Sequence, residues 1–476
     1  MMNKIMSDNP SIVWVNESFI DIDRIDPIFY KTNIMDLVTK IEGKFKVDYA
    51  ENLFKVITDG DHGKRDYVDE GVPFYTAINV QEEGFNSETH LFITEKYEES
   101  LKRARLSPNS LLIVKTGVGT GKSCVIGENI SYGNISADVG ILKEPSNIID
   151  PYFISVFMNS KSGREYILRS SYGSTRNRLT IAELKRLKLP IPSLDIQNYI
   201  GNKVRKAEQL REEAKRLRTE VKEMFYDYTL LDREKDTSQD SIENSTNEWG
   251  MFVETRNITN LLGAEVYKSD YVENQNTIRS LNSYVNFDDC FEYIVNGVDI
   301  RNYRDNATAY YKVAAIDMFG VKEGSVDFVD ISIDSINAKQ RIKEGDLLIT
   351  RKGSFGISMG VQTRDTNGII SSEVFKVRLK SGWDADYLAY FLNSRYGQKQ
   401  FLQFATGSTM KGISQQNIVE IVVPKIKYHK QQEIGLLVRN IKDLYYQSKE
   451  LIQQAKNDIE YLIEDTWDET LINLEY

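Results

Sequence analysis

Two cysteines and three histidines are all that the 476 residues hold of the side chains that most often bind metals or act as nucleophiles. Cys124 and Cys290 are too few for a disulfide scaffold or a Cys-rich zinc site. His62, His90 and His429 leave little for histidine-based metal or nucleophile chemistry. Long apolar runs are missing as well. No stretch approaches the roughly 18 consecutive apolar residues of a membrane helix. The opening MMNKIMSDNPSIVW lacks the apolar segment of a signal peptide. These absences predict a chain of the reducing cytoplasm that makes no use of a membrane. What remains is ordinary: 41% apolar and 27% charged residues, enough to bury a real core. The length corresponds to a prior of about three domains.

The formal net charge of −10 argues at first against nucleic acid, but its distribution matters more than its sum. Asp232–Glu248 carries six acids and two bases, and Asp458–Tyr476 seven acids and no base. Those two segments account for the whole excess of negative charge. Elsewhere, Lys161–Lys188 has eight bases against two acids, and Lys339–Lys352 five against two. Basic patches are therefore available, although such runs are often no more than solvated surface.

The chain is one unit written twice. At an offset of 234 residues, Phe157-Met158-Asn159-Ser160 falls on Phe391-Leu392-Asn393-Ser394, and Gly173-Ser174-Thr175 on Gly407-Ser408-Thr409. Gly163, Pro190, Gln197 and Ile200-Gly201 fall on Gly397, Pro424, Gln431 and Ile434-Gly435. Upstream the offset drifts to 236 and 237, where Leu111-Leu112-Ile113 matches Leu347-Leu348-Ile349 and Tyr30-Lys31 matches Tyr267-Lys268. So long a period is a domain duplication, not a solenoid.

Each half opens with short strand candidates rich in Tyr, Phe and Asn. An apolar strand follows, LLIVKTG (111–117) or LLITRKG (347–353), and runs into a Gly-rich turn. A helix, the Gly-Ser-Thr loop, a short helix and a strand ending in proline come next. Each half closes on a long helix. In the first, Ile200, Ala207, Ala214, Val221 and Tyr228 recur every seven residues beside Leu210, Leu217 and Met224. In the second, Ile434, Ile441, Ser448, Ala455 and Leu462 recur beside Leu437, Leu444 and Leu451. These are a/d seams in one phase. A long helix with one apolar stripe must bury it, and the spacing predicts that the two stripes pack together. The other possibility is that each helix packs on its own domain.

The loudest motif is a near-miss. Thr116-Gly117-Val118-Gly119-Thr120-Gly121-Lys122-Ser123 resembles a P-loop, but Thr116 stands where the first glycine belongs. A P-loop NTPase using Lys122 and Ser123 stays open as an alternative. The preferred reading is a turn whose backbone N–H groups come close to a partner such as phosphate, flanked by Lys115 in one half and Arg351-Lys352 in the other. Asp59-Gly60-Asp61-His62-Gly63 reads as a polar turn. The Gly-Ser-Thr loops run into Arg176-Asn177-Arg178 and Met410-Lys411, and then into helix starts at Thr180 and Ser414. A basic loop beside a helix start suits phosphate, and Thr and Ser also suit helix capping. No methyltransferase tetrapeptide of the Asn-Pro-Pro-Tyr type, dinucleotide fingerprint or nuclease core of paired carboxylates is present, so the chain reads as non-catalytic.

Taken together, the two variable halves, the Gly-Ser-Thr loops, Leu189-Pro190-Ile191-Pro192, Gln197 and the long heptad helices resemble the DNA-specificity (S) subunit of type I restriction–modification systems. Ile25–Lys31 and Leu262–Lys268 resemble the half-domain openings of that family, and the likeness covers almost the whole chain. Pro424-Lys425-Ile426-Lys427 departs from the pattern in lacking the second proline.

The resemblance implies an α+β fold of two similar mixed α/β target-recognition domains, separated by two long helices that form an antiparallel coiled-coil spacer. The domains are then 1–192 and 249–425, the spacer helices 193–231 and 426–476 (the latter with the acidic tail), and the acidic linker 232–248. It implies a sequence-specific DNA-binding subunit, not an enzyme, that reads a bipartite site in double-stranded DNA and directs two methyltransferase (M) subunits and restriction (R) subunits to it. S-adenosylmethionine, ATP and Mg are expected on those partners and no cofactor on this chain. The DNA-binding candidates are Lys115, Thr116, Lys122, Ser174, Thr175, Arg176, Arg178, Arg351, Lys352, Ser408, Thr409 and Lys411. The candidates for spacer-helix packing are Ile200, Ala207, Leu210, Ala214, Leu217, Val221, Ile434, Leu437, Ile441, Leu444, Leu451 and Ala455. Two further alternatives are a coiled-coil scaffold with no DNA role and a specificity chain serving another defence or type II-like modification enzyme.

Overall fold

The computed structural model describes residues 27–233 and 263–468, apart from 61–62, 64–66, 118, 131, 172–176 and 408–410, together with residues 20, 258, 261, 470 and 472. Most of the acidic linker, and part of the acidic tail, lie outside these residues. The chain forms two compact units, residues 1–211 with 446–476, and residues 212–445.

Unit 1 is built on a four-stranded antiparallel sheet of β1 (Phe54–Asp59), β2 (Leu111–Val114), β3 (Ser123–Val125) and β4 (Val139–Pro145), in the order β1-β4-β2-β3. All four residues of β2 are buried, as its unbroken apolar run requires of a strand covered on both faces. Helix α1 (Pro151–Asn159) is buried along its whole length, and α2 (Lys161–Leu168) follows it. A second sheet sets Val72–Tyr75 between Leu91–Ile93, antiparallel, and Asn134–Ile135, parallel. Lys188–Ile191 pairs with Lys46–Tyr49 and leads into the long helix α3 (Leu194–Thr229).

Unit 2 repeats this plan. Its main sheet holds β5 (Phe291–Asn296), β6 (Leu347–Thr350), β7 (Ser358–Gly360) and β8 (Val374–Leu379) in the order β5-β8-β6-β7. Helices α4 (Ala385–Asn393) and α5 (Arg395–Phe404) follow. Tyr303–Tyr311 lies between antiparallel Asp327–Val329 and parallel Gly368–Ile370. Val422–Pro424 pairs with Tyr284–Asn286 before the second long helix, α6 (Tyr428–Ile463).

The duplicated residues are structural. Asn159 accepts from the N–H of Ser123 and donates to its carbonyl, at 3.0 and 2.7 Å, stitching α1 to β3. Asn393 does the same for Ser358 at 3.2 and 2.7 Å. Ser160 and Ser394 cap the next helices by accepting from the N–H groups of Gly163 and Gly397. A Cβ on Gly163 would lie 1.7 Å from the Phe157 carbonyl oxygen, so the first turn of α2, packed against the end of α1, admits only glycine there. Gln197 accepts from the N–H of Asp150 and donates to the carbonyls of Ile148 and Pro192, and Gln431 holds Asp384, Gly382 and Ile426 in the same way.

Each unit contains a segment of both long helices, running antiparallel. In unit 1 the start of α3 lies beside the end of α6, with Lys203 on Asp458. In unit 2 the end of α3 lies beside the start of α6, with Tyr228 donating to Glu433. Ile200 and Ala207 share a core with Ile452 and Ala455, and this core also takes in Tyr152 and Phe153 of α1. Ala214, Leu217 and Val221 share another with Ile434, Ile441 and Tyr387. The stripes therefore pack on each other and on the domains at once.

That dual packing corrects the narrow a/d seam. Leu210, Leu437, Leu444 and Leu451 are only half-buried, whereas Val204, Phe225, Val438, Ile452 and Ile459, four residues after the a positions, are buried. A helix that serves a domain as well as a partner helix needs the wider stripe.

Replacing Asn159 by alanine orphans a buried N–H and C=O of Ser123. The Asn159→Ala variant should lose about 1–3 kcal/mol of stability, read from the midpoint of urea unfolding, and Asn393→Ala should lose a similar amount.

Candidate nucleic-acid interface

In each unit the fold brings two sequence-distant loops together. In unit 1 the loop joining β2 to β3 lies against the loop that precedes Thr180. Leu179 donates its N–H to the Lys115 carbonyl at 2.8 Å, Gly117 donates to the Asn177 carbonyl at 3.3 Å, and Thr116 bridges Arg178. In unit 2, Ile413 donates to the Arg351 carbonyl at 2.9 Å, and Lys352 bridges Gly412. Thr180 and Ser414 cap the short helices that follow, accepting from the N–H groups of Glu183 and Asn417.

The resemblance to a P-loop ends here. A P-loop joins a strand to a helix whose N-terminus faces the phosphates. Residues 115–122 instead join two antiparallel strands, and Ser123 is buried as the first residue of β3. Gly121 has φ +88° and returns its N–H to the Val114 carbonyl, closing a tight hairpin. In unit 2, Gly356, also at φ +88°, closes the loop on Thr350. The nucleotide-hydrolysis alternative thus loses its motif.

Lys115 is a second correction. It is 3% exposed and forms an ion pair with Asp59, itself buried, so its ammonium is committed inside the domain. Asp59 accordingly ends β1 as the partner of Lys115 and is not a turn residue. The matched position in unit 2 is Asn296, whose side-chain oxygen accepts from Gln415 at 2.8 Å. There the counterpart of Lys115 is Arg351, half-buried, its guanidinium 5.3 Å from the Phe375 ring centroid and donating to the Ser372 carbonyl at 3.3 Å. Spacing gave no signal for Asp59, Asn296 or Gln415, because each acts across the fold.

The remaining basic candidates line the paired loops. Arg178, Lys352 and Lys411 are exposed, while Lys122 and Thr116 are half-buried. Lys122 also helps Lys456 and Arg164 hold the Glu82 carboxyl below its ordinary range, against a burial that pushes it up. Ser174, Thr175, Arg176, Ser408 and Thr409 lie outside the described residues, as does His62. Two basic, glycine-bearing loops held side by side are suited to phosphate contacts, with backbone N–H groups and Lys or Arg supplying donors.

Other chemistries find little support. No group of three or more metal-ligating side chains occurs among the described residues. Both cysteines are buried, and burial pushes their thiols far up, so neither is held as a thiolate. No helix among the described residues is long and apolar enough to cross a membrane.

Comparison with known proteins places these features. Residues 53–223 match the family model described as the type I restriction modification DNA specificity domain. The specificity subunit of the type I restriction enzyme EcoKI of Escherichia coli strain K12 is 21% identical over 403 residues, spanning 82% of this chain and 78% of that protein. The specificity subunit of the Escherichia coli enzyme EcoBI is 28% identical over 118 residues, spanning 25% of this chain and 24% of its own length. A crystal structure of a type I restriction–modification S subunit from M. genitalium aligns over 89% of this chain and 96% of its own, with TM-score 0.46 and 14% identity. The chain is thus similar to type I restriction–modification specificity subunits, and residues 53–223 match the DNA specificity domain of that system.

The two corrected or retained lysines separate structure from surface. Lys115→Ala removes the buried ammonium that pairs with Asp59, whose carboxylate also lies 3.9 Å from Arg103, and should cost about 3 kcal/mol of stability in urea unfolding. Lys352→Ala removes an exposed charge and should leave stability within about 0.5 kcal/mol of the unaltered chain.

Proposed function

We propose that this chain is a non-catalytic, sequence-specific DNA-binding subunit, which reads a bipartite site and directs methyltransferase and restriction subunits to it. The observation that carries the reading is the pairing of loops in both units. One topology is used twice, with basic side chains at matched loops and different side chains around them. Two such modules suit two half-sites of different sequence. Lys and Arg on the loops set register through phosphates, and polar side chains of the variable regions read base edges. The long helices, each roughly 54 Å at 1.5 Å per residue, act as the ruler between half-sites, about one DNA turn of 34 Å apart. S-adenosylmethionine, ATP and Mg belong to the partner subunits. A target adenine must leave the base stack to be methylated, a task for the methyltransferase.

Methylome sequencing with and without the gene tests this reading as a whole. It should show a bipartite adenine mark that is lost with the gene, and an unchanged methylome refutes the proposal. Removing one heptad from α3 and the facing heptad from α6 should change the spacer between half-sites and leave both half-sites readable. On the loops, Lys352→Ala and Lys411→Ala should each lower the slope of log affinity against log salt by about 1 without altering sequence preference. That slope is read in titrations of DNA with the assembled complex.

A further inference from the structure

The duplication creates a problem of partner choice that goes beyond DNA reading. A chain made of two like halves, each ending in a like helix, can pair its first helix with its second, or with the first helix of another copy. The apolar stripes share one phase and do not discriminate between these arrangements. The discrimination must come from layers in which the two halves differ.

One such layer stands out in unit 1. Lys203 of α3 and Asp458 of α6 form an ion pair at 2.5 Å, with the two residues 3% and 6% exposed. Lys203 also lies 4.6 Å from the centroid of the Tyr199 ring. The duplication offset of 234 maps Lys203 onto Leu437 and Asp458 onto Met224. Both of these pack, half-buried, against the core of unit 2. The same layer is therefore ionic in one unit and apolar in the other. A second difference sits nearby. Glu460 accepts from the backbone N–H of Ser162, at 2.9 Å, and from its hydroxyl, whereas the matched residues in unit 2 are Tyr226 and Tyr396. Tyr396 donates its hydroxyl to the Asp232 carbonyl instead.

We propose that the Lys203–Asp458 pair, helped by Ser162–Glu460, selects the pairing of the long helices: it admits a second helix beside the first and rejects the pairing of two first helices or of two second helices from separate copies. If two first halves paired, Met224 would stand where Asp458 stands and Lys203 would be buried without its carboxylate. If two second halves paired, Asp458 would face Leu437. A buried ion pair adds little over an apolar pair of the same size, but a buried charge without its partner is strongly disfavoured. The pair thus acts against wrong partners more than it strengthens the right one, as a polar layer does in a coiled coil.

The test uses the full chain. The double variant Lys203→Leu/Asp458→Met gives unit 1 the apolar layer of unit 2. Variant and unaltered chain are unfolded in urea, refolded at high protein concentration and analysed by size-exclusion chromatography with light scattering. The variant should melt at or above the temperature of the unaltered chain and yield a several-fold larger dimer fraction. An equal dimer fraction overturns the proposal. If the double variant does not fold, Lys203→Asp and Asp458→Lys chains are refolded apart and together. Each carries like charges at the layer, and only a mixed dimer in which the first helix of each chain pairs with the second helix of the other restores two opposite pairs. Soluble mixed dimer found only on co-refolding supports the selection, and no gain on mixing overturns it.

Discussion

Where each long helix leaves its domain, a buried glutamine in its first turn reaches back and ties three backbone segments together. Gln197 and Gln431 are each almost wholly inaccessible, and each satisfies one N–H and two carbonyls that would otherwise be orphaned. Two turns further along the helix, Arg205 grips Asp150 with both terminal nitrogens, at 2.9 and 2.8 Å, and Arg439 reaches both Asp384 and Asp386. Asp150 and Asp384 also cap α1 and α4. Helix, strand end and domain helix are thereby held as one piece. Burial pushes the Asp384 carboxyl above its usual range despite Arg439, which marks how deeply the clamp is placed. The aim of the paired loops relative to the helices within each unit rests on this joint.

The clamp is the same in both units, and around it the units diverge. Glu208 accepts from the Tyr152 hydroxyl at 3.0 Å in unit 1, while Lys442 sits on Asp386 and the Gly360 carbonyl in unit 2. Lys115 is paired with Asp59, while the matched residues of unit 2 are Arg351, which donates to the Ser372 carbonyl, and Asn296, which accepts from Gln415. A duplicated scaffold can tolerate such exchanges because each replaces one polar contact by another. The backbone connections stay fixed, and the chemistry hung on them is free to differ.

Much of this arrangement was legible as repetition. Matching Asn159 with Asn393, Gln197 with Gln431 and Gly163 with Gly397 singled out the residues that hold backbone together, since only those must recur in both copies. The helix starts at Thr180 and Ser414 followed from capping chemistry, and the two long helices from their heptads. The candidate site was less legible. Lys115 looks like any basic residue beside a loop until Asp59, 56 positions away in the chain, is placed against it. The eight-residue P-loop likeness fails for the same reason, because a local pattern does not say whether a strand or a helix comes next in space.

What the sequence by itself determined was the order and kind of elements, the twofold repetition and the stripes on the two helices. These depend on periodicity and on contacts close along the chain. Tertiary structure alone decided which charges are spent inside and which remain at the surface, and how wide the helix stripes are. Burial and pairing across hundreds of residues set those outcomes, and neither leaves a local mark in the chain. Lys203 and Lys352 are the same side chain, yet the first is enclosed against Asp458 and the second faces solvent, because folding sets the dielectric and the neighbours around each ammonium.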